Sequence, residues 1–177
     1  MNDSVLLVDH EIVLDPLLLS DAEILWELIQ ANREYLGKYL AWVSEVRDVS
    51  STERFIRLRV DPAGIVSAWY KVYVADQLCG IFGAKSIDGG VAELGCFIAE
   101  CYQGRGIISR CVSAFSEKLT RDYDVSEIEW CCLPQNTSSV RVAERFGAVL
   151  HSVEALRVAG SSDKQILNVY RKTLSGI

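Results

Sequence analysis

Apolar residues recur along the chain with two periods, and the switches between them predict an order of elements. Ile108, Cys111, Val112, Phe115 and Leu119 fall at i, i+3, i+4, i+7 and i+11, which is one buried helical face. Leu25, Leu28 and Ile29 mark a shorter helix. Ser20-Asp21-Ala22-Glu23 ahead of it fits a capping box, with Ser20 as cap and Glu23 reaching back. A second box, Ser50 to Glu53, predicts a helix with Phe55, Ile56 and Leu58 on its apolar side. Ser139, Val142, Ala143 and Phe146 share a face of a helix over 137–146. Extended apolar runs predict strands at 12–19, 69–74, 78–86, 91–98, 127–133, 149–158 and 165–172. Ala75-Asp76-Gln77 and Asp88-Gly89-Gly90 supply turns, the second a strong hairpin signal. Residues 39–50 carry no clear period. The sum is α+β: one domain over 1–177, with a mixed, mostly antiparallel sheet flanked by helices.

Composition narrows the class without naming a function. The 177 residues are 50% hydrophobic and 24% charged, enough to bury a core. No apolar run approaches ~18 residues, and the N-terminal stretch carries acids and no basic region. A cytoplasmic protein that does not bind a membrane is therefore expected. The net charge of −6 argues against a general nucleic-acid binder and leans toward a cationic partner. Cysteines stand at 79, 96, 101, 111, 131 and 132, with no CxxC spacing and no histidine cluster. They read as small hydrophobes, so no metal is assigned. Cys131 and Cys132 are adjacent on a strand and face opposite ways.

The candidate chemistry lies in residues 91–112, where an apolar strand enters a Gly-rich turn that opens a helix. No Ser, Thr, Asp or Asn stands just before Gly106 to cap that helix. Its first-turn amides must find water or an anion. Gly104 and Gly106 let backbone approach a bulky ligand, and Arg105 adds positive charge, as a phosphate cradle requires. A P-loop is excluded because no Gly-Lys-Ser/Thr follows. The dinucleotide fingerprint fails because Ser109 stands where its third glycine belongs.

Gln103-Gly104-Arg105-Gly106-Ile107-Ile108 resembles the pyrophosphate motif of the GNAT acetyltransferases, with Ile108 replacing that pattern's small residue. Asn136-Thr137-Ser138-Ser139, followed by Phe146-Gly147, resembles the family's Asn-x-x-Ser helix. Asn32-Arg33-Glu34-Tyr35-Leu36 and then Trp42 resemble the start of the RimJ/RimL branch, whose members acetylate N-terminal amines of ribosomal proteins. The resemblance implies a GNAT fold in which the strands before and after the Gly-turn helix splay apart around acetyl-coenzyme A. It implies a transferase acting on a primary amine, most directly a protein N-terminus, by direct attack in a ternary complex. A small-amine enzyme acting on an antibiotic or polyamine stays open, as do a non-catalytic coenzyme A-binding module and a homodimer.

The resemblance also implies roles. Gln103, Gly104, Arg105, Gly106, Ile107 and Ile108 would hold the pyrophosphate, and Asn136 the pantetheine arm. A backbone amide at Phe97 or Ile98 would serve the oxyanion, and Ser139 would donate to the leaving sulfur. Glu93 is a candidate base from its place in the strand. His151 stands where the branch carries a glutamate, in a His151-Ser152 pair instead of Glu-Gly, and Glu154 is a third option. Tyr35, Tyr39, Trp42 and Trp69 are candidates for an acceptor pocket or plain core aromatics.

Overall fold

The structure, a computed structural model, describes residues 4–157 and 164–174. Eight strands form one sheet: β1 (Leu6–Leu7), β2 (Ile12–Pro16), β3 (Val66–Val74), β4 (Gln77–Asp88), β5 (Val91–Ile98), β6 (Glu127–Cys132), β7 (Val149–Arg157) and β8 (Lys164–Thr173). Five α-helices accompany them: α1 (Ala22–Ala31), α2 (Arg33–Leu36), α3 (Val49–Val60), α4 (Ile107–Tyr123) and α5 (Thr137–Phe146). The strand order is β1-β2-β3-β4-β5-β6-β8-β7. Every neighbouring pair is antiparallel except β5 and β6. This is the expected α+β architecture.

Two apolar cores form, one on each side of the sheet. Cys111, Val112, Phe115 and Leu119 of α4 pack on Tyr70, Phe82, Ala92 and Leu94. Phe115 meets Tyr70 and Phe82 edge-on, with ring centres 5.5 and 5.4 Å apart, the preferred aromatic geometry. On the other side, α1 and α3 bring Leu25, Ile29, Phe55 and Ile56 against Trp69, Ile81 and Phe97. Strand β3 is buried over most of its length because both layers cover it. Two tight hairpins align β3, β4 and β5. Ala75 and Asp76 turn the first and Gly89 and Gly90 the second, all four with positive φ, as a type I′ turn requires.

Both predicted capping boxes shift. Ser20 is exposed and does not cap α1; Asp21, at the end of a 3-10 turn, reaches back instead, its Oδ2 accepting the Leu18 N–H at 2.7 Å. The reason is long-range, since Asp21 Oδ1 also accepts from Lys71 Nζ at 2.9 Å. The second cap is Asp48, whose Oδ1 accepts the Ser51 N–H at 2.7 Å while Ser51 Oγ accepts the Asp48 N–H at 3.0 Å. A carboxylate two residues earlier out-competes Ser50, and α3 starts at Val49 with Leu58 exposed. The first predicted strand ends at Pro16, which lacks the N–H to continue the ladder. A turn of 3-10 helix, Leu19–Asp21, follows it. The patternless segment holds another, Ala41–Ser44, tied down by Arg33 donating to the carbonyls of Val43 and Val46. Val158, predicted as a strand residue, lies outside the described residues.

Lys71 is the buried cation that joins the strand layer to the first helical turn. Its ammonium sits 2.7 Å from Asp15 and 2.9 Å from Asp21, with its side chain 7% exposed. Burial pulls its pKa down, but hydrogen bonds and charge from Asp15 and Asp21 outweigh burial and leave it raised. A raised ammonium pKa stabilises the fold at pH values below the unfolded value of ~10.4, and that gain is lost as pH rises through the folded value. Lys71→Met, which leaves two acids without their cation, is expected to cost about 3 kcal/mol in urea unfolding at pH 7. The gap to wild type should hold to about pH 10 and shrink above it. A gap that does not depend on pH would show packing, not charge.

Candidate active site

Strands β5 and β6 pair in parallel over four rungs only, from Val91↔Glu127 to Leu94↔Trp130. Beyond Leu94 they part. Cys96, Phe97 and Ile98 on one side and Trp130 on the other line a cavity of about 330 Å³. The Gly104–Ser109 turn, Asn136, Ser139, Tyr35 and Tyr39 also line it. Backbone alternation fixes which amide faces the gap. The Ala99 N–H donates to the Cys79 carbonyl, on the β4 side, at 2.7 Å. One residue back, the Ile98 N–H therefore points the other way, toward β6. The sequence left Phe97 and Ile98 equivalent; the register separates them.

Helix α4 begins with Gly106 in the left-handed region (φ 70°), and no side chain caps it. Gly104 also has positive φ (72°), and a Cβ at either glycine would meet nothing within 4 Å. The space over the turn is open, as a bound phosphate would need. Ile107 and Ile108 bury their side chains in the core, so they offer the cavity mainly backbone amides. The larger Ile108 fits because its side chain joins the α4 core face. Arg105 is exposed, with its guanidinium 5.2 Å from the Tyr102 ring centre. Gln103 Nε2 donates to Tyr35 Oη, joining the turn to α2. Burial raises the Tyr35 pKa, which keeps the phenol neutral.

Helix α5 is capped differently. Asn136 Oδ1 accepts the Ser139 N–H at 3.3 Å, so Asn136 serves as N-cap. Ser139 Oγ accepts from Trp130 Nε1 at 2.8 Å. The helix ends at Gly147 (φ 84°), and Lys172 Nζ donates to the Phe146 carbonyl at 2.7 Å.

The candidate bases lie elsewhere. Glu93 is 2.8 Å from Lys85 in an ion pair and does not line the cavity. It faces the same side of β5 as Phe97 but stands four residues back, roughly 13 Å at strand rise. His151 is exposed on β7, where the ladder slips between Leu150 and Ser152, and Glu154 is exposed beyond it. No Asp, Glu, His or Lys side chain lines the cavity among the described residues. Tyr35 and Tyr39 line it, whereas Trp42 and Trp69 belong to the α1–α3 core, with the Trp42 ring tilted against Phe55 and Phe97, ring centres 4.3 and 5.5 Å apart.

Sequence reasoning missed Trp130, Arg141 and Arg145 as cavity residues. The two arginines are one turn apart on α5, a spacing that could have been read. Of the cysteines, Cys79, Cys111 and Cys132 are buried and Cys101 is exposed. Cys96 lines the cavity, and burial pushes its thiol up to about 12. Among the described residues no group of three or more His, Cys, Asp or Glu is set to hold a metal ion, and no helix is long and apolar enough to cross a membrane.

A sheet opened beside an uncapped helix N-terminus offers free backbone amides to an anionic ligand. The family described as Acetyltransferase (GNAT) domain matches residues 11–149, and the chain belongs to it. It is an acetyl-coenzyme A-dependent N-acetyltransferase. It is 25% identical over 130 residues to the ribosomal-protein-serine acetyltransferase of Escherichia coli (strain K12), covering 71% of this chain and 72% of that one. Among solved structures it superposes on RimL, ribosomal L7/L12 alpha-N-protein acetyltransferase in complex with coenzyme A. That match has a TM-score of 0.87 at 20% identity, covering 97% and 98% of the two chains. The microcin C7 self immunity acetyltransferase MccE, with acetyl-CoA and AMP, gives a TM-score of 0.85 at 23% identity, with 94% of each chain covered.

The open α4 N-terminus generates a charge test. Asn and Asp both tolerate the left-handed backbone at position 106, so Gly106→Asn and Gly106→Asp differ mainly in charge. An acid there favours the helix and disfavours a bound phosphate. Gly106→Asp is expected to keep or raise the melting temperature, yet bind coenzyme A at least about tenfold more weakly than Gly106→Asn in calorimetry. Equal affinities would move the phosphates away from this turn.

Proposed function

We propose that the protein, as a single cytoplasmic catalytic domain, transfers the acetyl group of acetyl-coenzyme A to the N-terminal α-amine of a protein, by direct attack in a ternary complex. A ribosomal protein is the first acceptor to test. One observation carries the reading: the cavity joins the Gly104–Ser109 turn to Ser139 and contains no acid, histidine or lysine. Nothing in its lining can strip a proton from a fully charged ammonium. An α-amine has a pKa near ~7.8, so roughly a tenth is neutral at pH 7; a lysine at ~10.4 is neutral in well under a thousandth of molecules. A site without a base favours the α-amine by more than about a hundredfold in available nucleophile. The name of the Escherichia coli relative supports the same acceptor class.

The residues divide the work as follows. The thioester supplies an activated acetyl group. The Gly104–Ser109 amides, with Arg105, Arg141 and Arg145 around them, hold the charged end of the carrier. Gln103 braces the turn through Tyr35. Asn136, its Oδ1 used by the cap, keeps its side-chain N–H groups for the carrier's amide arm. The Ile98 N–H meets the developing oxyanion, Phe97 walls the acetyl end, and the Ser139 hydroxyl donates to the departing sulfur. Neither Glu93 nor His151 lines the cavity, and the amine's proton leaves to water.

With peptides offered as acceptors, mass spectrometry should find acetylation at the α-amine. Exclusive lysine modification, or fast turnover of a small amine with no peptide modified, would move the assignment to a lysine or small-amine enzyme. Coenzyme A binding with no thiol release for any acceptor would leave a binding module. The remote placement of the bases gives a second expectation. Glu93→Gln and His151→Gln should each keep kcat/KM within about tenfold of wild type, with the rise of kcat/KM near the acceptor's own pKa. A loss beyond about a hundredfold in either would make that residue the direct base.

A further inference from the structure

We infer that Trp130 is a positioning residue for acetyl transfer, acting through Ser139; this rests on the role proposed above for the Ser139 hydroxyl. Trp130 occupies the last rung on which β5 and β6 still pair, opposite Leu94. Its side chain is 5% exposed and packed in the α4 core, yet one edge of it reaches the cavity. From that fixed base its indole Nε1 donates to Ser139 Oγ at 2.8 Å. Ser139 is thus held at two points, its N–H by Asn136 and its hydroxyl by Trp130.

The direction of this hydrogen bond is what matters. An indole N–H donates and cannot accept. Ser139 must therefore be the acceptor, and its own proton must point away from Trp130. A Ser, Tyr or His in place of Trp130 could draw that proton toward itself; a tryptophan cannot.

One competing acceptor stands nearby. Cys132, two residues further along β6 on the same face, lies within reach of the Ser139 hydroxyl. Burial raises the Cys132 pKa against a pull down from Ser139, so the sulfur there stays a neutral thiol, a weak acceptor. During transfer a C–N bond forms, the C–S bond breaks, and the electron pair stays on the coenzyme A sulfur. The amine's proton leaves to water. The departing sulfur becomes a charged acceptor, stronger than the Cys132 thiol, and the Ser139 proton turns to it. The bond gains strength only as the thiolate forms, so it lowers the barrier and leaves carrier affinity alone.

The test is a double-mutant cycle with Trp130→Phe, which keeps an aromatic ring and removes the N–H, Ser139→Ala, and both together. Ser139→Ala should lower kcat about ten- to a hundredfold. Trp130→Phe should lower kcat about three- to tenfold, the worth of one ordinary hydrogen bond, with the coenzyme A Kd within about twofold of wild type. In the Ser139→Ala background Trp130→Phe should cost nothing further. The same fold-loss in both backgrounds would mean that Trp130 acts by packing and would overturn the inference while sparing Ser139. Full kcat in Ser139→Ala would sink the reading of Ser139, and this inference with it. If Trp130→Phe does not fold, NMR of the Trp130 indole N–H decides: its resonance should shift in folded Ser139→Ala, and an unmoved resonance would overturn the pairing.

Discussion

The parting of β5 and β6 is the constraint on which the rest of the molecule depends. These are the two strands that run parallel, and they pair over four rungs only. Because they run parallel, their carboxyl ends lie on the same side, and the helix that follows each one starts there. Two helix N-termini, α4 after Gly106 and α5 after Asn136, therefore converge on one gap. An all-antiparallel sheet would have sent the second helix to the opposite edge. The crossover that parallel pairing requires is α4 itself, and the buried face of α4 is the centre of the larger core. The apolar packing that stabilises the sheet thus also aims its own helix at the gap. Charge converges as well. Arg141 and Arg145 line the cavity in a protein whose net charge is −6.

The two helix starts are not equivalent. Asn136 caps α5 from within, spending a side-chain oxygen on the Ser139 N–H. The α4 start has only Gly106, which supplies backbone shape and no acceptor. A helix terminus satisfied by its own side chain gains stability but cannot hold an anion well; one left open costs stability and keeps its amides for a ligand. This division explains why the Gly turn tolerates an exposed arginine and two positive-φ residues. On the proposed reading its partner is a charged ligand outside the chain.

Where periodicity spoke, the sequence was legible. The ranges 91–98 and 137–146 coincide with β5 and α5, and the face of α4 is buried as its spacing demands. Caps were less legible because they are competitions. Ser20 and Ser50 satisfy the local pattern, but Asp21 is drawn in by Lys71, 50 residues away, and Asp48 wins as a charged acceptor two residues earlier. Strand β1 is two residues long, too short to show a period. The site shows the same split. The turn and Ser139 came from local motifs, whereas Trp130 reaches Ser139 from a strand to a helix across an intervening turn. Glu93 could be read as a strand carboxylate. Its pairing with Lys85 depends on a ladder that slips between Ala84 and Ser86, which no spacing rule contains.

That slip bears on how an amine is made reactive on the proposed reading. A carboxylate beside the acceptor would work as a base only if it were itself poorly charged; as an ordinary anion it would hold the ammonium and raise its pKa. Pairing with Lys85 keeps Glu93 occupied, roughly 13 Å back along the strand. The apolar side chains of the lining include Leu36, Leu40 and Phe97, beside the phenols of Tyr35 and Tyr39. Walls of that kind penalise the charged amine by desolvation and lower its pKa, so entry into the site favours the nucleophilic form. For an α-amine already near neutrality a small shift suffices. For a lysine the same walls would have to move the pKa by about three units, which takes near-complete burial and not a half-open cleft. On the proposed reading, apolar walls at the acetyl end select the acceptor by its basicity.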